Sequence, residues 1–208
     1  MKNQKIEGIY CELEPLNLEK HGRDLWQAIR GNDDLWRYLL NGPYADEESF
    51  FTWLESCKNH ASRIYFSVID KNSKKALGVL ALINCDPNHK TVEVGGIIFS
   101  PAMQKTRISS EAIYLIAKYV FEDLNFQRLQ WICNNKNEAS KKSAKRFGFS
   151  FEGILRQHLI AKGAKRDSAF FSILDNEWKN IKAAFEIWLN PNNFDETGKQ
   201  KTKLQIAQ

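Results

Sequence analysis

The chain is poor in the features that mark several protein classes. Its 208 residues include only four cysteines, Cys11, Cys57, Cys85 and Cys133, standing far apart with no Cys-x-x-Cys pair. Without a His-x-x-x-His partner that spacing supports no zinc site, so no metal is expected. Cys11, Cys85 and Cys133 lie in apolar, strand-like runs and read as buried thiols of a reducing, cytoplasmic protein. No apolar run approaches the ~18 residues of a membrane span, and residues 1–13 are too polar for a secretory leader. No Gly-x-Gly-x-x-Gly follows a strand, which disfavours a dinucleotide-binding fold. Internal repeats and domain linkers are lacking as well, so one domain is expected.

What is present suits a packed core. Hydrophobic residues make up 43%, charged residues 26% and aromatics 12%, ordinary values for a globular chain of this length. The formal net charge of +5 is mild, and much of the excess is scattered or lies near the C-terminus.

The most organised stretch runs from Val92 to Leu124. Val92 to Phe99 is rich in β-branched residues and reads as a strand interrupted by Gly95-Gly96, where a bulge is expected. Ser100-Pro101 stops it. From Ile108 the apolar residues Ala112, Leu115, Ile116, Tyr119, Val120 and Leu124 recur at helical spacing. A loop that opens into a helix start offers unpaired N–H groups and a positive dipole end to an anion. Lys105 and Arg107 add charge there, while Thr106, Ser109 and Ser110 add hydroxyls.

Around this stretch the pattern predicts a first strand at 9–16, helices at 18–29, 33–40 and 46–59, and strands at 64–69 and 76–83. A strand at 128–133 follows the central helix and is expected to run parallel to the Val92 strand, because a strand–helix–strand unit favours it. A basic helix to Phe147, a hairpin turning at 162–165 and a last helix from Asp175 complete the order. Residues 1–8 are expected to be flexible, 9–190 to form the domain, and the polar residues 191–208 to be a disordered tail.

That order, with Gly95-Gly96, Phe99-Ser100-Pro101, Gln104-Lys105-Thr106-Arg107, Glu111-Ala112, Asn137-Glu138-Ala139-Ser140, Lys145-Arg146-Phe147-Gly148-Phe149, Glu152-Gly153 and Arg166-Asp167-Ser168-Ala169, resembles the GCN5-related N-acetyltransferase (GNAT) superfamily in its RimJ/RimL-like branch. The resemblance covers roughly residues 9–190. It implies an α/β (α+β) fold, a mixed and mostly antiparallel central sheet splayed at the cofactor site, with helices on both faces. It also implies acetyl-CoA as cosubstrate and acetyl transfer to a primary amine by direct attack in a ternary complex.

By the same resemblance, the backbone of Ile97, Ile98 and Phe99 would hold the pantetheine arm, with the Ile98 N–H assisting the oxyanion. Gln104, Lys105, Thr106, Arg107, Ile108, Ser109 and Ser110 would take the pyrophosphate, and Asn137, Ser140 and Lys145 would complete the cofactor site. The superfamily usually has glycine where this chain has Arg107 and a small residue at Ser109. An arginine there would bind phosphate through its side chain, or mark a rearranged site. Ser140 is expected to protonate the leaving thiolate, although Asn137-Glu138 could equally be a plain helix cap. Glu93, His158 and Asp167 are the candidate bases.

The acceptor is expected to be a protein N-terminal amine or a small-molecule amine, approached through an aromatic and acidic lobe at 18–59 together with the hairpin at 162–166. No membrane partner is expected, and the oligomer is monomer or homodimer. The alternative is a silent CoA-sensing or nucleic-acid-binding module using Lys141, Lys142, Lys145 and Arg146. That cluster lacks the interleaved aromatics of a stacking platform, so nucleic acid is disfavoured.

Overall fold

The computed structural model describes residues 4–60 and 62–206. Its strands are β1 (Ile6–Glu7), β2 (Cys11–Pro15), β3 (Ile64–Asp70), β4 (Ala76–Asp86), β5 (Thr91–Phe99), β6 (Arg128–Asn134), β7 (Ser150–Ala161) and β8 (Ala164–Leu174). Its helices are α1 (Leu18–Ile29), α2 (Glu47–Lys58), α3 (Arg107–Lys118), α4 (Glu138–Arg146) and α5 (Asp175–Leu189). The strands form one sheet in the order β1-β2-β3-β4-β5-β6-β8-β7. Every neighbouring pair is antiparallel except β5 with β6, the parallel step expected for a strand–helix–strand crossover.

Period-2 alternation divides the sheet between two cores. Leu13, Phe66, Val68, Leu80, Leu82, Val92 and Val94 join residues of α3 and α5 on one face. Tyr65, Ile69, Val79, Ala81 and Ile98 join Leu25, Ile29, Phe50 and Leu54 of α1 and α2 on the other. The change of face between Val94 and Ile98 has a local cause. Val79 pairs with Ile98 but Ala81 pairs with Gly95, so β5 spends three residues where β4 spends two. Gly96 takes φ +58 at this bulge, a conformation that a side chain would strain.

Local chemistry fixes the ends of several elements. Asp46 caps α2 by accepting the Ser49 N–H at 2.8 Å, which accounts for the acidic cluster at its start. Lys162 and Gly163, both at positive φ, form the two-residue turn between β7 and β8. β8 therefore begins at Ala164, earlier than the sequence suggested. The helix expected over 33–40 is only a 3-10 turn at Asp33–Trp36, since Trp36 is buried edge-on against Tyr44 and Trp53.

Both ends of the chain depart from expectation. Within the stretch expected to be flexible, Ile6–Glu7 pairs with β2; residues 1–3 lie outside the described residues. The segment from 191 to 206 is structured where a disordered tail was expected. Pro191–Asn193 forms a 3-10 turn, Phe194 is buried and bridges to Gln200, and Leu204 and Ile206 pack on the core. Its sparse apolar residues each find a site, a placement that composition does not reveal; residues 207–208 lie outside the described residues.

Glu111 ties the chain start to α3. It is 1% exposed and accepts the N–H groups of Ile9, Tyr10 and Cys11 at 2.6, 2.7 and 2.7 Å. Glu111→Ala leaves these donors unsatisfied beside a cavity, so a loss of about 3 kcal/mol is expected. Urea unfolding should show a lower midpoint at unchanged slope; an unaltered midpoint would contradict the assigned role.

Candidate active site

The pairing of β5 with β6 covers only Thr91–Arg128, Val92–Leu129 and Glu93–Gln130. Beyond Glu93 the two strands separate. On its other edge β5 remains bonded to β4 through Phe99, so the edge of 95–99 that faces β6 lies along a cleft with no strand in it. Unsatisfied backbone there suits an extended ligand arm that adds to the sheet.

The loop after β5 delivers the start of α3 to one end of this cleft. Gln104 donates its side-chain N–H to Phe99 O at 2.9 Å, and Lys105 turns the chain at φ +60. Thr106 occupies the N-cap position but does not cap: its hydroxyl donates to Met103 O at 2.6 Å. Ser109 and Ser110 donate theirs back to Thr106 O, at 2.9 and 3.4 Å. The N–H groups of Arg107, Ile108 and Ser109 are therefore left without a side-chain cap at the positive end of the helix. That arrangement fits an anion such as a pyrophosphate.

Two expected contacts differ in kind from the sequence reading. The Arg107 side chain lies 4.2 Å over the Tyr10 ring and 5.5 Å over the Phe194 ring, engaged with aromatics and not with the loop hydroxyls. The Gln104 amide is occupied by Phe99 O. The loop's resource is its main chain.

At the closed end of the cleft stands Glu93, 7% exposed, receiving the Asn84 side-chain N–H at 2.8 Å. Burial pushes its carboxyl up to about 7, against the downward pull of Asn84 and the guanidinium charges of Arg166 and Arg63. Gly95 keeps space for it, since a Cβ there would sit 3.1 Å from Glu93 Oε1 and 2.7 Å from Ile83 Cδ1. Asn84, at φ +51 in an otherwise apolar strand, was not singled out from the sequence. That departure in residue type was the available signal.

Ser140 lies in the first turn of α4, and its Oγ accepts the indole N–H of Trp131 at 2.9 Å. That contact uses an oxygen lone pair, and the hydroxyl itself lies within hydrogen-bonding reach of the Cys133 thiol. Trp131 is the orienting partner that sequence reasoning missed. Asn137 caps α4, its Oδ1 accepting the Ser140 N–H at 3.0 Å. Cys133 is buried, which pushes its thiol up and disfavours a thiolate.

The other two candidate bases are placed differently. Asp167 accepts the Gln157 N–H at 2.7 Å, fixing the irregular part of the β7–β8 pairing. Its parity along β8 is that of Ala169 and Phe171, which enter the α3/α5 core, so it belongs to the face opposite Glu93. His158 stays on the hairpin, 3.0 Å from Ser168 Oγ and edge-on to Phe170 at 5.4 Å. The hairpin tip reaches the segment between α1 and α2, where Lys162 donates to Trp36 O at 2.7 Å. The aromatic residues Trp36, Phe50, Tyr44 and Trp53 interlock with centroids 5.1–6.4 Å apart, Trp36 and Phe50 buried and Tyr44 and Trp53 partly exposed against them. On α4, Lys145 is exposed while Lys141 pairs with Glu138 at 2.7 Å.

The cleft and its loop have counterparts in known proteins. Residues 12–150 match the acetyltransferase (GNAT) domain family. A GCN5-related N-acetyltransferase from Brucella melitensis is 40% identical with a TM-score of 0.96, covering 99% of this chain and 94% of that one. An uncharacterized N-acetyltransferase of Bacillus subtilis is 24% identical over 156 residues, 74% of this chain and 89% of that protein. A spermidine N(1)-acetyltransferase of Escherichia coli K12 is 26% identical over 164 residues, 77% of this chain and 85% of that protein. No helix among the described residues is long and apolar enough to cross a membrane. With the splayed parallel pair, the uncapped helix start and a family match over residues 12–150, the chain belongs to the GNAT acetyltransferase family.

Proposed function

We propose that this chain is a cytoplasmic N-acetyltransferase that uses acetyl-CoA and a primary amine, the two meeting in the cleft between β5 and β6. The observation that carries the reading is the cleft itself, with the uncapped start of α3 at one end and the buried Glu93 at the other. Acetyl-CoA supplies an acetyl group already activated as a thioester. The free backbone edge of Ile97, Ile98 and Phe99 holds the pantetheine arm, and a main-chain N–H near Ile98 on that edge serves the developing oxyanion. The main-chain N–H groups of Arg107, Ile108 and Ser109 hold the pyrophosphate, assisted by exposed Lys105 and Lys145.

Glu93 takes the proton that the amine loses on attack, the Ser140 hydroxyl gives its proton to the departing thiolate, and the proton on Glu93 returns through solvent to restore the Ser140 hydroxyl. With a carboxyl near 7, Glu93 is poised for exchange at neutral pH. Direct transfer is favoured over a cysteine-linked intermediate because the Cys133 thiol is held protonated. The relative named for spermidine acetylation supports a small-molecule amine as acceptor; a protein N-terminal amine, as in the RimJ/RimL-like branch, is the alternative.

Thermal unfolding with acetyl-CoA, CoA and NAD separates this reading from its rivals. Both CoA species should raise Tm with concentration and NAD should not, since only a ligand of the native state shifts the midpoint. No shift at millimolar CoA would sink the proposal.

For Glu93→Gln, with the amine acceptor found by thiol-release screening, kcat should fall about 100-fold or more. The acidic limb of the rate profile, centred near pH 7 in the unchanged protein, should go with it. An acidic limb that survives the substitution would rule out Glu93 as base.

The same residue predicts a stability trend of definite sign. Its folded pKa of about 7 exceeds the unfolded reference of 4.5, so the native state binds the extra proton between these values. Stability of the unchanged protein relative to Glu93→Gln should therefore fall as pH rises from 4.5 to 7, by about 3 kcal/mol, and level off above. Parallel urea midpoints for both proteins across that window would refute it.

A further inference from the structure

Two guanidinium groups brace the first turn of α3 from outside the cleft. Arg107 lies between Tyr10, at 4.2 Å, and Phe194, at 5.5 Å. Arg146, the last residue of α4, donates to Ser110 Oγ at 2.9 Å and lies 5.0 Å over Trp188. The rings beneath them are joined edge to face, Tyr10 to Phe194 at 5.6 Å and Phe194 to Trp188 at 5.1 Å. Phe194 is the middle ring of this strip and the only one supplied by the C-terminal segment.

The segment is fastened on both sides of that ring. Trp188 Nε1 donates to Gln200 Oε1 at 2.9 Å, and Asn193 accepts the Thr202 N–H at 2.9 Å. Tyr10 is held at each end, its N–H by Glu111 at 2.7 Å and its hydroxyl on Leu189 O at 2.9 Å. Tyr10, Trp188, Leu189 and Phe194 all lie outside the stretch matched by the family, residues 12–150.

We propose that the segment 191–206, acting through Phe194 and Arg107, positions the start of α3 and thereby sets affinity for the pyrophosphate of acetyl-CoA. The proposal rests on the acetyl-CoA reading above. A helix start has few internal hydrogen bonds and frays readily. Holding its N–H groups in place beforehand removes ordering cost from ligand binding. The arginine in a position where glycine is usual also acquires a purpose. Its side chain leaves the cleft to meet the aromatic strip while its N–H stays at the loop. Phe194 and Arg107 are positioning residues; their side chains need not touch the cosubstrate.

The test compares the full chain with Phe194→Ala, Phe194→Tyr and Arg107→Lys by calorimetric binding of acetyl-CoA and by amide hydrogen exchange. Phe194→Ala should weaken binding about fivefold to tenfold, in line with the loss of a cation–π contact and its ordering. Exchange at 104–110 should quicken while β3 and β4 stay protected. Phe194→Tyr, which keeps the ring, should restore both, and Arg107→Lys should fall between. Equal affinity for Phe194→Ala and the unchanged chain would overturn the positioning role and leave the acetyl-CoA reading standing. So would exchange that quickens uniformly through the domain, which marks plain destabilisation. Failure of the unchanged chain to bind acetyl-CoA would remove that reading and this inference together.

Discussion

Parallel pairing between β5 and β6 stops after Glu93–Gln130, and the site depends on that early stop. Had the ladder continued, the backbone of 95–99 would be satisfied on both edges and no extended ligand could enter. The bulge at Gly96 is the device that bends β5 away while keeping it bonded to β4. It also reverses which residues face which core. Val92 and Val94 anchor the strand against α3, while Ile98 anchors its far end against the α1/α2 side. A strand pinned to opposite cores at its two ends cannot slide back into register with β6 without withdrawing a buried side chain.

Much of this was legible beforehand because it is written in local chemistry. Two adjacent glycines in a β-branched run announce a bulge. The apolar spacing from Ile108 announces α3, and Asn137 followed by Glu138 announces a cap that is indeed made. The parallel sense of β6 follows from the intervening helix. What was not legible depends on contacts distant in sequence. Arg107 reads as a phosphate ligand until Tyr10 and Phe194, about a hundred residues away on either side, are seen to receive it. Composition made the segment after Asn190 look unfoldable, since it carries few apolar residues. One of them, Phe194, fills a place between Tyr10 and Trp188 that no other ring occupies.

The candidate bases illustrate the same limit. Glu93, His158 and Asp167 are equivalent as residues in strands of uncertain facing. Register separates their surroundings: Asp167 shares the parity of Ala169 and Phe171 and accepts the Gln157 N–H, whereas Glu93 lies beside the end of the parallel ladder. A one-residue change in the β7–β8 bulge would reverse the assignment for the hairpin residues, and no sequence pattern fixes that bulge.

Two buried glutamates finally show how the fold separates structure from chemistry. Glu111 and Glu93 are 1% and 7% exposed, yet they are solvated differently by the protein. Glu111 accepts three main-chain N–H groups, which replace the water it has lost and bind the chain start to α3. Glu93 receives a side-chain amide from Asn84, and the charges of Arg166 and Arg63 act on it from a distance. Burial thus outweighs its partners and leaves a proton affinity near neutrality. Were Glu93 supplied with donors as Glu111 is, the strand end would be more stable and the carboxyl would lose the property that suits it to general base catalysis.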